Sequence, residues 1–325
     1  MRQKQRRAVS GTVLVGVSGP PAAWAEVEST LAPYQMVRSL QLVQDRIAAG
    51  DHAAIPMQRK LLQMIDARFA ETESEDYNDP RNFRAMLVYA MSGGNPKTIE
   101  VALARIHLDE TNRELGVGIL NYLRGNLKSA KAVLDDVEPL KIEPELGAFF
   151  ALVKGSVNAI ESPEQALSLF DQARLLAPGT LVEEAALRRT VSLSATSRLT
   201  DRFMSASEQY VRRFLTSPYA SQFADAFVAG VIDLHEDADR ARLTDVISKM
   251  EPAQQKTIFL RLARRSAIEG YAELAAFASK GADAIKVKDF GPEGDPRAEL
   301  YASLATVMSE TVDATLERLL KIDRN

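Results

Sequence analysis

Apolar residues recur along most of the chain at the spacing of an amphipathic helix. The clearest example is SPEQALSLFDQARLLAPGT, in which Ala166, Phe170 and Ala173 stand at offsets of 0, 4 and 7 and Pro178 follows at 12. Residues at this spacing lie on one face of an α-helix, and the proline marks the end of that helix. Alanine and leucine recur throughout while aromatic residues make up only 6%. This composition favours helix-on-helix packing over a sheet sandwich, so we predict an all-α fold.

The order of small, aromatic, small and proline residues matches the second helix of a tetratricopeptide repeat (TPR). A second copy is GILNYLRGNLKSAKAVLDDVEP, anchored at Ala130, and a third is FMSASEQYVRRFLTSPYA, anchored at Ala206 with Tyr210 four residues later. The anchor alanines are 36 and 40 residues apart, against about 34 in an ideal repeat. The repeats are therefore predicted to be degenerate.

Weaker helix pairs are predicted over residues 38–68, 83–107 and 259–280, with turns near Gly50, Gly93 and Gly270. A single pair leaves one apolar face exposed, and stacking with its neighbours buries that face. We therefore predict an α-solenoid of degenerate TPR-like helical hairpins, whose first helices line a concave groove suited to an extended segment or a helix of a partner. Tyr122 is a candidate for the groove, although packing within its repeat is the alternative.

Four helix starts are predicted where a capping residue precedes proline. Such a residue at N-cap accepts a backbone N–H bond, and proline at N1 presets the helical φ. Gln165 would complete a capping box with Ser162. The four dipeptides are Asp79-Pro80, Asn95-Pro96, Ser162-Pro163 and Ser217-Pro218.

The first 25 residues have the organisation of a secretory signal peptide. Residues 1–7 carry four positive charges, residues 8–17 are apolar, and the segment ends in a small-x-small motif at Ala25. We expect cleavage between Ala25 and Glu26 and export to the periplasm. The alternative is an uncleaved anchor, but the apolar run is about half of the roughly 20 residues that span a bilayer.

Charge and cysteine content narrow the function. Removing the signal peptide takes away four positive charges, so the formal charge changes from −4 to −8. This argues against nucleic-acid binding, which requires clustered Lys and Arg. The chain has no cysteine, so it is neither stabilised by disulfides nor anchored as a lipoprotein. No other apolar run approaches 18 residues, so no membrane span is expected after signal removal.

Two segments are predicted to be linkers. Residues 71–82 are acidic and poor in apolar residues, and residues 286–296 concentrate Gly and Pro. The pattern LATVMSETVDATLERLL then indicates a last helix, which would dock on its own chain or on a partner. The predicted regions are a signal peptide (1–25), an N-terminal helical hairpin region (26–70), an acidic linker (71–82), TPR-like repeats (83–285), a Gly/Pro linker (286–296) and a C-terminal helix (297–325).

No motif predicts a metal, cofactor or small-molecule substrate. His52, His107 and His235 are far apart in sequence, and none stands in an H-x-x-x-H pattern. The Gly116-Val117-Gly118 sequence lacks the third glycine of a dinucleotide loop, so close helix packing is its expected role. The sequence DFG at residues 289–291 has none of the accompanying kinase motifs.

Glu161-Ser162 is the one candidate for catalysis. Lytic transglycosylases, which also contain helical superhelices, use a glutamate followed by serine, and the glutamate needs a raised pKa to protonate a glycosidic oxygen. Here the pair falls at the predicted turn between two helices, where Ser162 would cap the next helix. We therefore predict no catalytic residue, with a peptidoglycan-acting enzyme as the unfavoured alternative.

Several stretches resemble one known family along nearly the whole mature chain. They are APYQMVRSLQLVQDRIAAGDHAAIPMQRKLLQMIDARF, ELGVGILNYLRGNLKSAKAVLDDVEPL, APGTLVEEAALRRTVSLS and SEQYVRRFLTSPYASQFADAF. They are similar to the MotC family of periplasmic motility and chemotaxis proteins in alpha-proteobacterial flagellar systems. The likeness is one of overall sequence and carries no binding motif over to individual residues.

The resemblance implies a non-enzymatic scaffold required for flagellar rotation. Proteins of this family bind the periplasmic part of the stator subunit MotB and thereby help to position or activate the MotA/MotB stator. Family members are expected to extend further at the C-terminus than Asn325. The alternative is a general periplasmic adaptor in envelope assembly or cell division.

Overall fold

The computed structural model describes residues 31–286 and residue 300. This part of the chain contains α-helices, two short 3-10 helices and no β-strand, which confirms the all-α prediction. The 3-10 helices are Ser74–Asn78 and Pro139–Lys141. The α-helices are α1 (Pro33–Ala48), α2 (Ala54–Glu71), α3 (Pro80–Met91), α4 (Pro96–Arg105), α5 (Glu110–Leu123), α6 (Leu127–Leu134), α7 (Pro144–Asn158), α8 (Pro163–Leu176), α9 (Leu181–Thr196), α10 (Thr200–Phe214), α11 (Ala220–Asp233), α12 (Arg240–Ser248), α13 (Pro252–Glu269) and α14 (Ala272–Ala284).

Most successive helices pack in pairs across a short turn. The most extensive contacts join α1 with α2, α5 with α6, α7 with α8, α8 with α9, α9 with α10, and α13 with α14. The turns of the first, second and last of these pairs contain Gly50, Gly125 and Gly270, all with positive φ. Glycine adopts this conformation without a Cβ clash. The turns at Gly50 and Gly270 lie where the sequence predicted them.

The strongest predicted repeat is the α7/α8 pair. Ala166, Phe170 and Ala173 are all buried in its core. Gly155 of α7 faces the ring of Phe170 so closely that a Cβ on the glycine would lie 2.6 Å from a ring carbon. The missing side chain therefore allows the Phe170 ring to pack against the backbone of α7.

The predicted helix starts are confirmed at three of the four positions, and the predicted capping bond forms at two of these three. The side chains of Asp79 and Asn95 accept hydrogen bonds from the backbone N–H two residues further on, at the starts of α3 and α4. Each is followed by proline, whose absent N–H leaves the first turn with one donor fewer to satisfy. Sequence and structure agree at both caps.

The other two caps were wrong. Ser162 is the N-cap residue of α8, but its ψ of 68° is outside the extended range usual for capping, and its side chain caps nothing. The predicted capping box with Gln165 is therefore absent. Ser217 bonds to the N–H of Tyr219 within a tight turn, and α11 begins only at Ala220. The chain makes this additional turn after α10 before the next helix starts.

Of residues 71–82, predicted to be an acidic linker, residues 72–79 connect α2 to α3 and include the first 3-10 helix, while the ends of the stretch belong to the two α-helices. Tyr77 in this stretch is buried, and its O–H points at the sulfur of Met86 at 3.7 Å. Burial raises the pKa of Tyr77 above its usual range. The stretch is therefore fastened to the helical core at one aromatic residue.

The first helix pair also contacts a distant part of the chain. Helix α1 packs on α3 and on α9, while α7 packs on both α3 and α9, so these four helices form a closed circuit. At the tip of the first pair, His52 Nε2 lies 2.8 Å from the carbonyl oxygen of Thr216, 164 residues away in sequence. A stack in which each pair touches only its neighbours has no such contact. These four helices border a partly open cavity.

Candidate functional site

A chamber of about 610 Å³, partly open to solvent, is bordered by α1, α3, α7 and α9. Its walls come mainly from α1, α7 and α9, with contributions from the end of α3 and from the loop that precedes α9. Most of the lining therefore comes from the first helices of the pairs. We call this space the central chamber.

One face of α1 presents polar and apolar groups to the central chamber. Arg38, Leu42 and Asp45 are spaced at i, i+4 and i+7, so they share a face of the helix. Leu42 is 60% exposed although it is a large apolar residue. Asp45 is half-buried, and its carboxylate has no hydrogen-bond or ion-pair partner among residues 31–286. Burial raises the pKa of Asp45, because removing water disfavours its charged form.

A second cavity of about 390 Å³ adjoins the chamber along α9. Arg188 and Arg189 line both cavities, and the second continues along α9 to Thr196 between α7 and α11. The lining stretch from Leu181 to Thr196 spans about 22 Å at 1.5 Å per residue. We call the two adjacent cavities the inner groove.

Two adjacent buried carboxylates hold α9 in place. Glu184 is 1% exposed, accepts a 2.7 Å hydrogen bond from the Tyr210 hydroxyl of α10 and pairs with Arg188 at 3.1 Å. Glu183 pairs with Arg213 of α10 at 2.7 Å. Burial, and next the charge of Glu184, raises the pKa of Tyr210 above its usual range. Buried carboxylates are tolerated only with such partners, so these contacts fix the inner face of α9 relative to α10.

The free charges of the inner groove are of both signs. Arg189 donates to the Leu152 carbonyl oxygen and the Ser156 hydroxyl of α7, and it pairs with no carboxylate among residues 31–286. Arg38 and the α7 residue Glu145 line the chamber and likewise lack an ion-pair partner in that part of the chain. A groove of mixed charge suits a polypeptide segment better than a polyanion, which needs a purely basic surface.

The structure places Glu161 where a general acid is not expected. Glu161 is exposed at the turn between α7 and α8, and its carboxylate accepts a 2.8 Å bond from the ammonium of Lys131. That ammonium lowers the pKa of Glu161. A general acid needs the opposite shift, so this geometry supports the turn interpretation.

The three histidines are dispersed, as their sequence positions suggested. His107 Nδ1 lies 3.3 Å from the Ser74 hydroxyl, and His235 stacks on Tyr271 with ring centroids 3.7 Å apart. Within the described part of the chain, no group of three His, Cys, Asp or Glu side chains is placed to hold a metal ion.

The expected packing role of the paired glycines is confirmed. A Cβ on Gly116 would lie 2.5 Å from Leu103, and one on Gly118 would lie 2.9 Å from Val133. Tyr122, the candidate for the groove, is partly buried against the core and does not line the central chamber. The cleavage residues Ala25 and Glu26 and the DFG sequence lie outside the described residues.

Sequence reasoning missed the residues that line the inner groove. A signal was present in α1, where Leu42 adds an apolar position outside the buried face of the helix, flanked by Arg38 and Asp45. The pattern alone could not show that α9, more than 130 residues away, would close over that face.

Comparison with known proteins identifies the family. A family model described as "Chemotaxis protein MotC" matches residues 1–325. The chain is 39% identical over 289 residues to "Chemotaxis protein MotC" of Rhizobium meliloti (strain 1021), an alignment that covers 89% of this chain and 66% of the relative. No solved structure matches the chain. Among the helices of the described residues, none is long and apolar enough to cross a membrane. The chain belongs to the MotC family of motility and chemotaxis proteins.

Proposed function

We propose that this chain is a periplasmic, non-enzymatic scaffold that is required for flagellar motor rotation and that binds the periplasmic part of the stator protein MotB. The family gives the process, since its members are described as chemotaxis proteins. The observation that supports a binding role is the inner groove, with its mixed free charges and its exposed Leu42. Exposed apolar groups rimmed by polar ones are typical of protein interaction sites.

The finer architecture supports the same proposal. We interpret the helix pairs as TPR-like units that stack into a curved scaffold, with their first helices on the inner side. The α1–α9 contact then narrows the inner side into a partly open groove. Rigid helices hold the charged groups of α1, α7 and α9 at fixed positions, as recognition of a specific partner requires.

Export to the periplasm is part of the proposal and has its own test. Residues 1–25 have the order of charges and apolar residues of a cleavable signal. The protein recovered from a periplasmic fraction should begin at Glu26 when its N-terminus is sequenced. Recovery of the uncleaved chain from the cytoplasm would contradict this step.

Deleting the gene tests the process. Deletion should abolish swimming while flagellar filaments remain assembled, and the intact gene supplied in trans should restore swimming. Normal swimming of the deletion strain would refute the proposal. Affinity capture from the periplasm should recover MotB, and recovery of division or outer-membrane assembly proteins without MotB would favour an envelope adaptor instead.

A further inference from the structure

We propose that the central chamber binds a segment of the partner protein through a basic side chain that pairs with Asp45 and an adjacent apolar side chain that packs on Leu42. This inference rests on the proposed function and adds to it the chemistry of the bound segment and the residues that recognise it.

Asp45 is the acidic residue of α1 that borders the chamber. Its carboxylate is half-buried in the chamber wall and has no partner among residues 31–286. The adjacent cation, Arg46, is bonded to Asp51 at the tip of the helix pair. Arg38 lies two turns away along α1, about 10 Å at 1.5 Å per residue. An occupant that displaced the remaining water would leave an uncompensated charge unless it brought a cation of its own.

Leu42 is an exposed apolar residue in the same chamber wall. It lies one turn before Asp45 on the same face of α1, and it is 60% exposed in a fold that buries most of its large apolar residues. An occupant that reaches Asp45 therefore passes over an apolar surface. Covering Leu42 contributes favourable burial, so a basic residue beside an apolar one is the complement that this face selects.

The size of the inner groove favours a polypeptide segment over a small cation as its occupant. The chamber alone has the volume of a small-molecule site. The chamber and the adjoining second cavity together follow α9 for about 22 Å, a length that a diamine would leave mostly empty. Arg38 and Arg189, both without a carboxylate partner among residues 31–286, would meet acidic side chains elsewhere on the same segment. A polypeptide segment that carries both acidic and basic side chains would contact charged groups along the whole inner groove.

The experiment has a partner-independent arm. The purified mature protein is used to select binders from a displayed library of random 12-residue peptides. Enriched peptides should share a Lys or Arg beside an apolar residue, and Asp45→Asn should weaken their binding by about ten-fold or more, the size expected for loss of a partly buried charge pair. Glu114→Gln, the same neutralisation at an exposed residue of α5, should leave binding unchanged. The variant Asp45→Lys should bind a peptide whose basic residue is exchanged for Glu better than it binds the original peptide.

The second arm measures binding of the periplasmic part of MotB to the same variants. If the peptides bind in an Asp45-dependent way but MotB does not bind, MotB is refuted as the partner, and the proposed recognition of a basic and an apolar side chain is retained. MotB binding that is unaffected by both Asp45→Asn and Leu42→Ala would overturn this inference and leave the proposed function standing. Failure to enrich any peptide, or enrichment without a basic residue, would also overturn it, as would stoichiometric binding of 1,5-diaminopentane that competes with the peptides. Urea unfolding of each variant shows whether a loss of binding reflects a loss of folding.

Discussion

The close contact between Gly155 and Phe170 reverses the usual effect of replacing a helical glycine. In a helix interior, Gly→Ala normally stabilises by roughly 0.5–1 kcal/mol because alanine loses less backbone entropy on folding. At Gly155 the added Cβ would lie 2.6 and 2.8 Å from two ring carbons of Phe170 and 3.2 Å from the carbonyl oxygen of Ala166. Phe170 is 1% exposed in the hydrophobic core and borders the second cavity on one side, so moving its ring away from Gly155 would break contacts that it makes in the core. Such overpacking costs about 1–3 kcal/mol, and we expect Gly155→Ala to destabilise the protein by about 1–2 kcal/mol net.

Urea unfolding followed by circular dichroism measures this effect. The control is Ser168→Ala on the exposed face of α8, which should change the midpoint little. In a Phe170→Leu background the smaller side chain should relieve the clash, so Gly155→Ala should cost less there than in the wild type. Stabilisation by Gly155→Ala in the wild type, or an equal cost in both backgrounds, would refute the packing of α7 on α8 described above.

Three further predictions concern buried polar contacts and pH. Tyr210→Phe leaves Glu184 without its hydroxyl donor, which should cost about 1–3 kcal/mol in urea unfolding; an unchanged midpoint would contradict the buried pairing. Lys154→Met removes the ammonium that donates to two carbonyl oxygens just after α6, at 2.7 and 2.9 Å, and it should increase hydrogen exchange at the C-terminal end of α6 without affecting α13. Hydrogen bonds, above all from the Arg81 side chain, lower the pKa of Asp79, and the Lys131 ammonium lowers the pKa of Glu161. Each ionised carboxylate therefore stabilises the folded protein fully above the unfolded pKa near 4, and this stabilisation is lost as the pH falls through the pKa of the folded state. The urea midpoint should therefore fall between about pH 5 and pH 3, and a midpoint that rises over this interval would contradict these assignments.

The helix pairs were predictable because their signals are local. The spacing of Ala166, Phe170 and Ala173 defines a buried face within one helix, and Gly50 and Gly270 mark turns that need a left-handed backbone. The caps at Asp79 and Asn95 also depend on residues only two positions apart. Each of these features is decided by neighbours in sequence, so the pattern alone is sufficient.

The α11/α12 region shows where local signals fail. The two helices were not predicted as a pair, and they contact other helices more than each other: α11 contacts α13, and α12 contacts α10. The Ser217-Pro218 dipeptide suggested a helix start, yet Ser217 is buried in a turn and the helix begins at Ala220. Burial of the turn against the preceding helices decided the local geometry, and the dipeptide carries no information about those helices.

The candidate site depends on contacts that no local pattern contains. Glu183 and Glu184 look like ordinary solvent-facing charges at the start of a helix, and only their pairing with Arg213 and Tyr210 of α10 allows them to be buried. The central chamber likewise exists because α1 packs on α9. Such long-range closure could not be derived from periodicity within either helix.

The central claim is that the first helix pair folds back onto α9 and that a partner binds in the groove bordered by these helices. The absence of native cysteine allows two spin labels to be placed at chosen sites, one at Ala53 beside the tip of the first pair and one at Ser221 at the start of α11. Because His52 and Thr216 are in hydrogen-bond contact, pulsed electron–electron double resonance should give a single short distance between the two spin labels in the free protein. A long or broad distribution, as expected for a stack whose first pair touches only its next neighbour, would contradict the claim.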